Sequence, residues 1–191
     1  PTAGASHRCQ AGCVAIADGG SGCSRHTGLD NASDPWGVSL EMARMLGLTD
    51  VTPLDADSGA GAIGEVSLDV MLDLSGFVAK VKEVFGSPVV RVSDPLKAPC
   101  RSSGIRRVAL CGGSGSSLID RAVGAGADIM LTSDVSYHRF VDYAGKIQLV
   151  DIGHFESEQC TKSILYRIIS QKFPNFVAKL SQQESNPITY L

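Results

Sequence analysis

One stretch of this chain reads Ile147-Gln-Leu-Val-Asp-Ile-Gly-His-Phe-Glu-Ser-Glu158, an apolar run that reaches a glycine and continues into an amphipathic segment. This pattern predicts a strand followed directly by a helix, and α/β proteins place their sites at the carboxyl ends of such strands. His154 and Glu158 are four residues apart, so they lie on one face once the helix has begun. Such a pair suits a divalent metal such as zinc or manganese, although an exposed capping His followed by a first-turn Glu would give the same pattern.

A second polar cluster lies far upstream, in Arg25-His-Thr-Gly-Leu-Asp-Asn31. Asp30 precedes Ser33-Asp-Pro35, which is a helix-start signal, so Asp30 could merely shape the entry turn. Two separate His/carboxylate clusters in one small domain favour a metal site, because neither cluster alone has enough ligands. The sequence therefore predicts that Asp30 and the 153–158 turn converge in space.

Predicted strands and helices alternate along most of the chain, which indicates βαβ units and a largely parallel sheet. We therefore expect an α/β protein with three layers, α/β/α, and a connector at 93–104 that could divide it into two lobes. The predicted helices cover 34–46, 67–85 (with Ser67 as cap), 115–124, 134–144 and 157–172, the predicted strands cover 89–92, 105–111, 128–132, 147–152 and 176–180, and 55–65 is predicted as a loop.

A glycine-rich turn, Cys111-Gly-Gly-Ser-Gly-Ser-Ser117, joins a predicted strand to a predicted helix. Glycines let the backbone turn tightly, and free N–H groups at a helix start can hold a phosphate or carboxylate. The turn lacks the Gly-Lys-Ser/Thr of a P-loop and the third glycine of a dinucleotide fingerprint. A close-packed turn with a serine cap fits these residues equally well. The candidate anion-binding residues are Gly113, Ser114, Gly115 and Ser116.

The stretch Thr132-Ser-Asp-Val-Ser-Tyr-His138 also follows a predicted strand. Asp134 is most simply the N-cap of the next helix, and His138, four residues later, faces the same side. His138 could line a cavity, but the sequence favours a hydrogen-bonded structural histidine. Cys111, on a predicted buried strand, is expected to be a small core residue.

The composition narrows the class of protein. The 191 residues are 43% hydrophobic with a net charge of −3, which allows a real core and leaves no basic footprint for nucleic acid. No run approaches the ~18 apolar residues of a membrane span, and no signal peptide with a basic start is visible. The six cysteines lack the density of a secreted disulfide scaffold, so we expect a cytoplasmic protein without a membrane or nucleic-acid partner.

Several short motifs together resemble the NIF-three-like family, whose bacterial members are named GTP cyclohydrolase 1 type 2 homologues. The resemblance covers about residues 25–191, and the order of the motifs makes it specific. They are His-Thr-x-Leu-Asp at 26–30, Gly-Leu at 47–48, Val-Ala-Leu-Cys-Gly-Gly-Ser-Gly-Ser-Ser at 108–117, Gly-Ala-Asp at 126–128, Thr-Ser-Asp-Val-Ser-Tyr-His at 132–138 and Gly-His-x-x-x-Glu at 153–158.

The resemblance implies a dinuclear site for zinc, manganese or iron in a three-layer α/β protein that assembles as a toroidal hexamer. Carried over by motif, the metal ligands are Asp30, His154 and Glu158. The adjacent His-His pair of the family has no counterpart, since residues 1–24 contain only His7. We therefore expect residues 1–24 to be an atypical or truncated segment before a domain at 25–191. With three of the five ligands, the chain should hold at most one ion, and weakly.

Three functions are compatible with these residues. The first is a metal-dependent hydrolase, in which the ion activates water and polarises a small-molecule or nucleotide substrate, and His26 acts as catalytic base or orients that water. The second is a non-catalytic metal-binding scaffold whose ring mediates protein contacts. The third is an anion- or nucleotide-binding module built on the 111–117 turn, with the metal incidental. We expect the first, with GTP cyclohydrolase-like chemistry suggested only by the family name.

Overall fold

The structure, a computed structural model, describes residues 37–67, 73–96 and 104–191, together with the backbone of 14–15 and 21–22. Its strands are β1 (Val14–Ala15), β2 (Ser21–Gly22), β3 (Thr49–Pro53), β4 (Ala62–Glu65), β5 (Arg91–Val92), β6 (Arg107–Ser114), β7 (Ile129–Ser133), β8 (Gln148–Asp151) and β9 (Lys179–Leu180). Its helices are α1 (Val38–Leu46), α2 (Leu74–Phe85), α3 (Ile119–Gly124), α4 (Tyr137–Asp142), α5 (His154–Glu158) and α6 (Cys160–Lys172).

A six-stranded sheet with the order β3-β4-β6-β7-β8-β5 forms the centre of the molecule. Its core is parallel, because β6 pairs with β7 and β7 with β8 in the same direction. The outer strands β3, β4 and β5 join by antiparallel pairing. A separate small sheet has the order β2-β1-β9. The predicted α/β class with a parallel sheet core is confirmed.

Two hydrophobic layers cover the two faces of the sheet, as the alternation of side chains along a strand requires. On β6, Val108 and Leu110 pack with residues of α1, α2 and α6 on one face. Ala109 and Cys111 pack with residues of α3 on the other face. Cys111 is buried and confirms the expected small core residue. The predicted three-layer arrangement is therefore confirmed.

Helix α1 begins later than predicted. Gly37 is extended, with φ −64° and ψ 139°, and the helix starts at Val38 rather than at residue 34. Residues 34–36, which carry the predicted helix-start signal, lie outside the described residues. The end of the helix is as predicted, because Gly47 adopts the left-handed conformation that stops a helix.

The predicted cap of α2 is wrong. Ser67 does not cap it; the helix begins at Leu74, and the Asp73 carboxylate accepts a hydrogen bond from the Gly76 N–H at 2.8 Å. An aspartate satisfies a first-turn donor as well as a serine does, and two such candidates cannot be ranked from local sequence. The buried face of the helix includes Phe77 and Val81.

The segment 55–65, predicted as a loop, contains strand β4. Ala62 to Glu65 pair with β6 on one side and with β3 on the other. Strand β3 was not predicted either, and its Pro53 argues locally against a strand. Strand β4 forms because β6 offers a partner, and β3 forms because β4 offers one, so pairing across the sheet overrides a weak local pattern.

Other predicted elements shift at their ends. Strand β6 extends to Ser114, and a 3-10 turn, Ser116–Leu118, precedes α3 in place of one helix over 115–124. The helix predicted from residue 157 begins at His154 as α5 and continues as α6. The lobe boundary predicted at 93–104 stays a prediction, because 97–103 lie outside the described residues. In the described ranges, every helix falls short of the length and apolar character that crossing a bilayer requires.

Candidate functional site

The carboxyl ends of the three parallel strands meet at one edge of the sheet and bring the polar motifs together. Ser114 at the end of β6 pairs with Ser133 at the end of β7, and Thr132 pairs with Asp151 at the end of β8. The residues that follow each strand therefore share one surface, which is where ligands bind in parallel sheets. Three segments contribute to it, namely 112–115, 133–136 and 151–158.

His154 is the centre of this surface. Its Nδ1 lies 2.5 Å from Asp134 Oδ2, and its Nε2 lies 3.2 Å from Glu158 Oε1. The His154 side chain is 49% exposed, and that of Glu158 is 32% exposed. The i,i+4 spacing of the two residues in the Gly-His-x-x-x-Glu motif therefore places them side by side, as predicted.

The two carboxylates change the charge state of His154. The hydrogen bond to Glu158 raises the pKa of His154 to about 9, Asp134 adds to the rise, and partial burial opposes it. At neutral pH and without a metal, His154 is therefore an imidazolium that can donate to Asp134 and Glu158 at once. A metal at Nε2 would have to displace that proton, because only the free nitrogen lone pair binds a metal.

Asp134 is not the N-cap that the sequence predicts. Ser136 caps α4 by accepting a hydrogen bond from the Arg139 N–H, and Asp134 lies before the helix with φ 55°. This left-handed conformation is uncommon for residues with a side chain, although aspartate tolerates it. It leaves the Asp134 carboxylate against the His154 ring. His138 is exposed on α4, with its ring edge-on to Tyr137.

Gly113 brings the backbone of β6 against the His154–Glu158 pair. A Cβ at Gly113 would lie 2.6 Å from Glu158 Oε1 and 3.5 Å from His154 Nε2. The Gly113 N–H donates to Ser157 Oγ at 3.0 Å, and that hydroxyl donates to the His154 carbonyl at 2.9 Å. The buried Ser157 thus ties the glycine turn to the first turn of α5.

The glycine-rich turn is also tied to β7. Thr132 Oγ1 accepts from the Gly115 N–H at 2.8 Å and donates to the Gly113 carbonyl at 3.0 Å. The N–H groups of Gly113 and Gly115 therefore have partners within the protein. Anion binding by Gly113, Ser114, Gly115 and Ser116 stays a prediction.

Two predicted site residues, His26 and Asp30, lie outside the described residues, so their convergence with His154 stays a prediction. Within the part of the chain that the structure describes, no group of three or more His, Cys, Asp or Glu side chains forms a candidate metal site. Sequence reasoning missed Asp134 as a partner of His154. The signal was present, because Asp134 directly follows β7 and His154 comes three residues after the end of β8, the neighbouring strand.

The chain is similar to known proteins over most of its length. The family described as Duf34/NIF3 (NGG1p interacting factor 3) matches residues 14–187. A protein of Lactococcus lactis subsp. lactis named GTP cyclohydrolase 1 type 2 homolog is 30% identical over 167 residues, which cover 85% of this chain and 60% of the relative. A protein of the same name from Nostoc sp. is 32% identical over 140 residues, covering 71% and 51%. The chain thus spans between about half and three fifths of the length of these curated relatives.

Solved structures show the same fold. Protein SA1388 of Staphylococcus aureus superposes with a TM-score of 0.71 at 23% identity, over 88% of this chain and 69% of that one. Protein ybgI, solved as a protein of unknown function, has a TM-score of 0.61 at 22% identity, over 75% of this chain and 54% of its own. At these identities the likeness shows the fold alone.

Proposed function

Because the chain belongs to the Duf34/NIF3 family, we propose that it binds a divalent metal ion through His154 and Glu158 and serves metal-dependent hydrolysis of a small molecule or nucleotide. One observation carries this proposal. His154 Nε2 and Glu158 Oε1 lie 3.2 Å apart beside Gly113, where a side chain would crowd the pair. A nitrogen and a carboxylate oxygen held together beside a glycine are suited to an ion that takes mixed ligands.

His154 and Glu158, the two donors in the described residues, would supply part of the coordination of such an ion. An imidazole with a carboxylate suits zinc, manganese or iron, whereas carboxylates alone would suit harder ions. Two donors are fewer than the three protein ligands of a catalytic zinc site. Asp30 is the proposed third ligand, since it is the aspartate of the His-Thr-x-Leu-Asp motif. Together these residues would hold at most one ion.

Asp134 contacts the proposed ligand His154 at Nδ1, the ring nitrogen that does not face Glu158. Metal-binding histidines commonly donate their second ring N–H to a carboxylate, which fixes the ring orientation and makes the ligand nitrogen more basic. Asp134 is bonded to Nδ1 in this way, and it leaves Nε2 on the Glu158 side. We therefore assign Asp134 as the residue that orients His154.

A divalent ion at this site would supply Lewis-acid activation of water and of the substrate. The residues of the chain would hold the ion, orient His154 and, through His26, accept or direct a proton. The GTP cyclohydrolase name of the relatives suggests a nucleotide as the substrate class. We also propose that the protein is located in the cytoplasm and assembles as a homohexamer.

Metal titration of the purified chain tests the proposal. We expect at most one Zn²⁺ or Mn²⁺ per chain, held weakly, and loss of this binding in His154→Ala. His138→Ala is the matched control, because His138 is an exposed histidine on α4 and should leave binding unchanged. Two tightly bound ions per chain by elemental analysis would contradict the expected stoichiometry and would require further ligands. Unchanged binding in His154→Ala would rule out the site.

A non-catalytic metal-binding scaffold is the second candidate, and one observation favours it. The described residues supply two metal donors, fewer than the three protein ligands of a catalytic zinc site. A hydrolase panel on the metal-loaded chain separates the two candidates, and for the chain as given we expect little turnover. The internal partners of the Gly113 and Gly115 N–H groups favour either candidate over an anion-binding module.

A further inference from the structure

Asp151, the last residue of β8, is a buried carboxylate that contacts two of the three segments around His154. Its side chain is 3% exposed. Asp151 Oδ1 accepts from the Gly153 N–H at 3.0 Å, directly before His154. Asp151 Oδ2 accepts from the Val135 N–H at 2.8 Å, directly after Asp134. One side chain therefore holds the backbone next to both partners of the Asp134–His154 contact.

Arg91 completes this arrangement from the edge strand β5. Its Nη2 donates both to Asp151 Oδ2 and, at 3.1 Å, to the Val135 carbonyl. The Arg91 guanidinium also lies 5.7 Å from the centre of the Phe140 ring on α4. The peptide groups on both sides of Val135 are thus held, the N–H by Asp151 and the carbonyl by Arg91.

The held segment is the one that contains the unusual backbone of Asp134. Asp134 has φ 55°, a left-handed conformation that is uncommon for a residue with a side chain. The hydrogen bonds to Val135 hold the backbone of the next residue in place. If they were lost, the segment could relax to a commoner conformation, and the Asp134 carboxylate would leave the His154 ring.

We propose that Arg91 and Asp151 form a positioning pair that holds Asp134 against His154 and so directs His154 Nε2 towards Glu158. The link to metal affinity rests on the proposed function, whereas the link to the His154 ring does not. Neither residue touches the proposed ion. The pair acts through the backbone of 134–135 and 153, as outer residues of metal sites commonly do.

The test compares Asp151→Asn with the wild type in two measurements. Asparagine has the same shape but a single acceptor oxygen, so it cannot receive all the donors that Asp151 receives. We expect the His154 imidazole signals in NMR of the metal-free protein to shift. We also expect the Zn²⁺ affinity to fall by about 10- to 100-fold, the usual effect of losing an outer residue of a metal site.

Asp128→Asn is the matched control. The Asp128 carboxylate also accepts two backbone N–H groups, from Arg106 at 3.0 Å and Arg107 at 2.9 Å. It precedes β7, at the opposite end of the parallel strands from His154. Both N–H groups reach Asp128 Oδ2, so asparagine can keep both bonds through its one acceptor oxygen. The replacement removes the charge and should leave the His154 signals and the Zn²⁺ affinity within twofold of the wild type.

Arg91→Gln provides a second, independent variant, because the Arg91 side chain is half exposed and its loss leaves the Asp151 carboxylate in place. It should shift the His154 signals in the same way and tests the pair if Asp151→Asn does not fold. A folded variant of either residue with unchanged His154 signals and unchanged affinity would overturn the proposal. If the wild type takes up no Zn²⁺, the proposed function is wrong. The His154 signals of the metal-free protein then still test whether Arg91 and Asp151 position His154.

Discussion

Gly113 is the residue at which the backbone passes closest to the proposed metal ligands. This position requires a left-handed backbone and leaves no room for a side chain. The residue has φ 66°, and a Cβ would lie 2.6 Å from Glu158 Oε1. Glycine meets the first requirement without strain and the second by having no side chain.

Gly113→Ala should therefore weaken metal binding. The left-handed backbone costs an alanine roughly 1–2 kcal/mol of stability, and the methyl group should push Glu158 away from His154. We expect at least a tenfold loss of Zn²⁺ affinity by calorimetry. Gly126→Ala is the control, because Gly126 has φ 71° and open space around its Cβ position. Equal Zn²⁺ affinity in the two variants would contradict the crowding argument.

The charge of His154 gives the metal-free protein a pH-dependent stability. Its pKa is raised from 6.5 to about 9, so its ion pairs contribute fully below pH 6.5 and are lost as the pH rises through 9. We expect an NMR titration midpoint near 9 for the His154 ring. The melting temperature should fall more between pH 7 and pH 10 in the wild type than in His154→Gln. A midpoint near 6.5 would show that the carboxylates do not act on the ring.

Metal binding should show the opposite pH dependence. A proton with a pKa of about 9 competes with the ion for His154 Nε2, so the ion must displace it below that pH. The apparent Zn²⁺ affinity should rise by about tenfold per pH unit between pH 7 and pH 8.5 and then level off. A flat profile over this range would mean that the ion does not use His154.

The start of helix α2 shows which of two residues, Ser67 or Asp73, caps the helix. The Asp73 carboxylate receives the Gly76 N–H, whereas Ser67 lies well before the helix. Asp73→Ala should lower the free energy of unfolding by about 1 kcal/mol, the usual cost of losing an N-cap. Ser67→Ala should change it by less than about half of that. Chemical denaturation measures both losses. A larger loss in Ser67→Ala than in Asp73→Ala would support the helix start that was predicted from the sequence.

The elements around His154 owe their arrangement to the parallel core. Strands β6, β7 and β8 end side by side, so the segments that follow them meet without any long loop. Ser157 and Thr132 then bind the glycine turn to α5 and β7. Each of these side chains satisfies a backbone group that would otherwise be buried without a partner.

For the whole molecule, the family resemblance predicts a hexamer. A ring would enclose a site whose residues are half exposed in the single chain, since His154 is 49% exposed. Light scattering at micromolar concentration should show an assembly larger than a monomer. A monomer alone across that concentration range would contradict the prediction, and the metal titration would then apply to the isolated chain.

Much of the fold and part of the candidate site could be predicted from the sequence. The parallel core was predicted because strong apolar runs such as 147–152 alternate with amphipathic helices. The adjacency of His154 and Glu158 was predicted because helical spacing alone determines it. Strands β3 and β4 were not predicted, since their short polar and glycine-containing sequences form strands only by pairing, β4 with β6 and β3 with β4.

The sequence by itself determined those features that depend on neighbours along the chain: the strand–helix alternation, the buried faces and the His154–Glu158 pair. The tertiary structure alone decided which carboxylate meets His154 Nδ1 and which residues hold that carboxylate in place. Asp134 and His154 are 20 residues apart, and Arg91 and Asp151 are 60 apart. Contacts over such separations depend on strand order and register, and local sequence specifies neither of them.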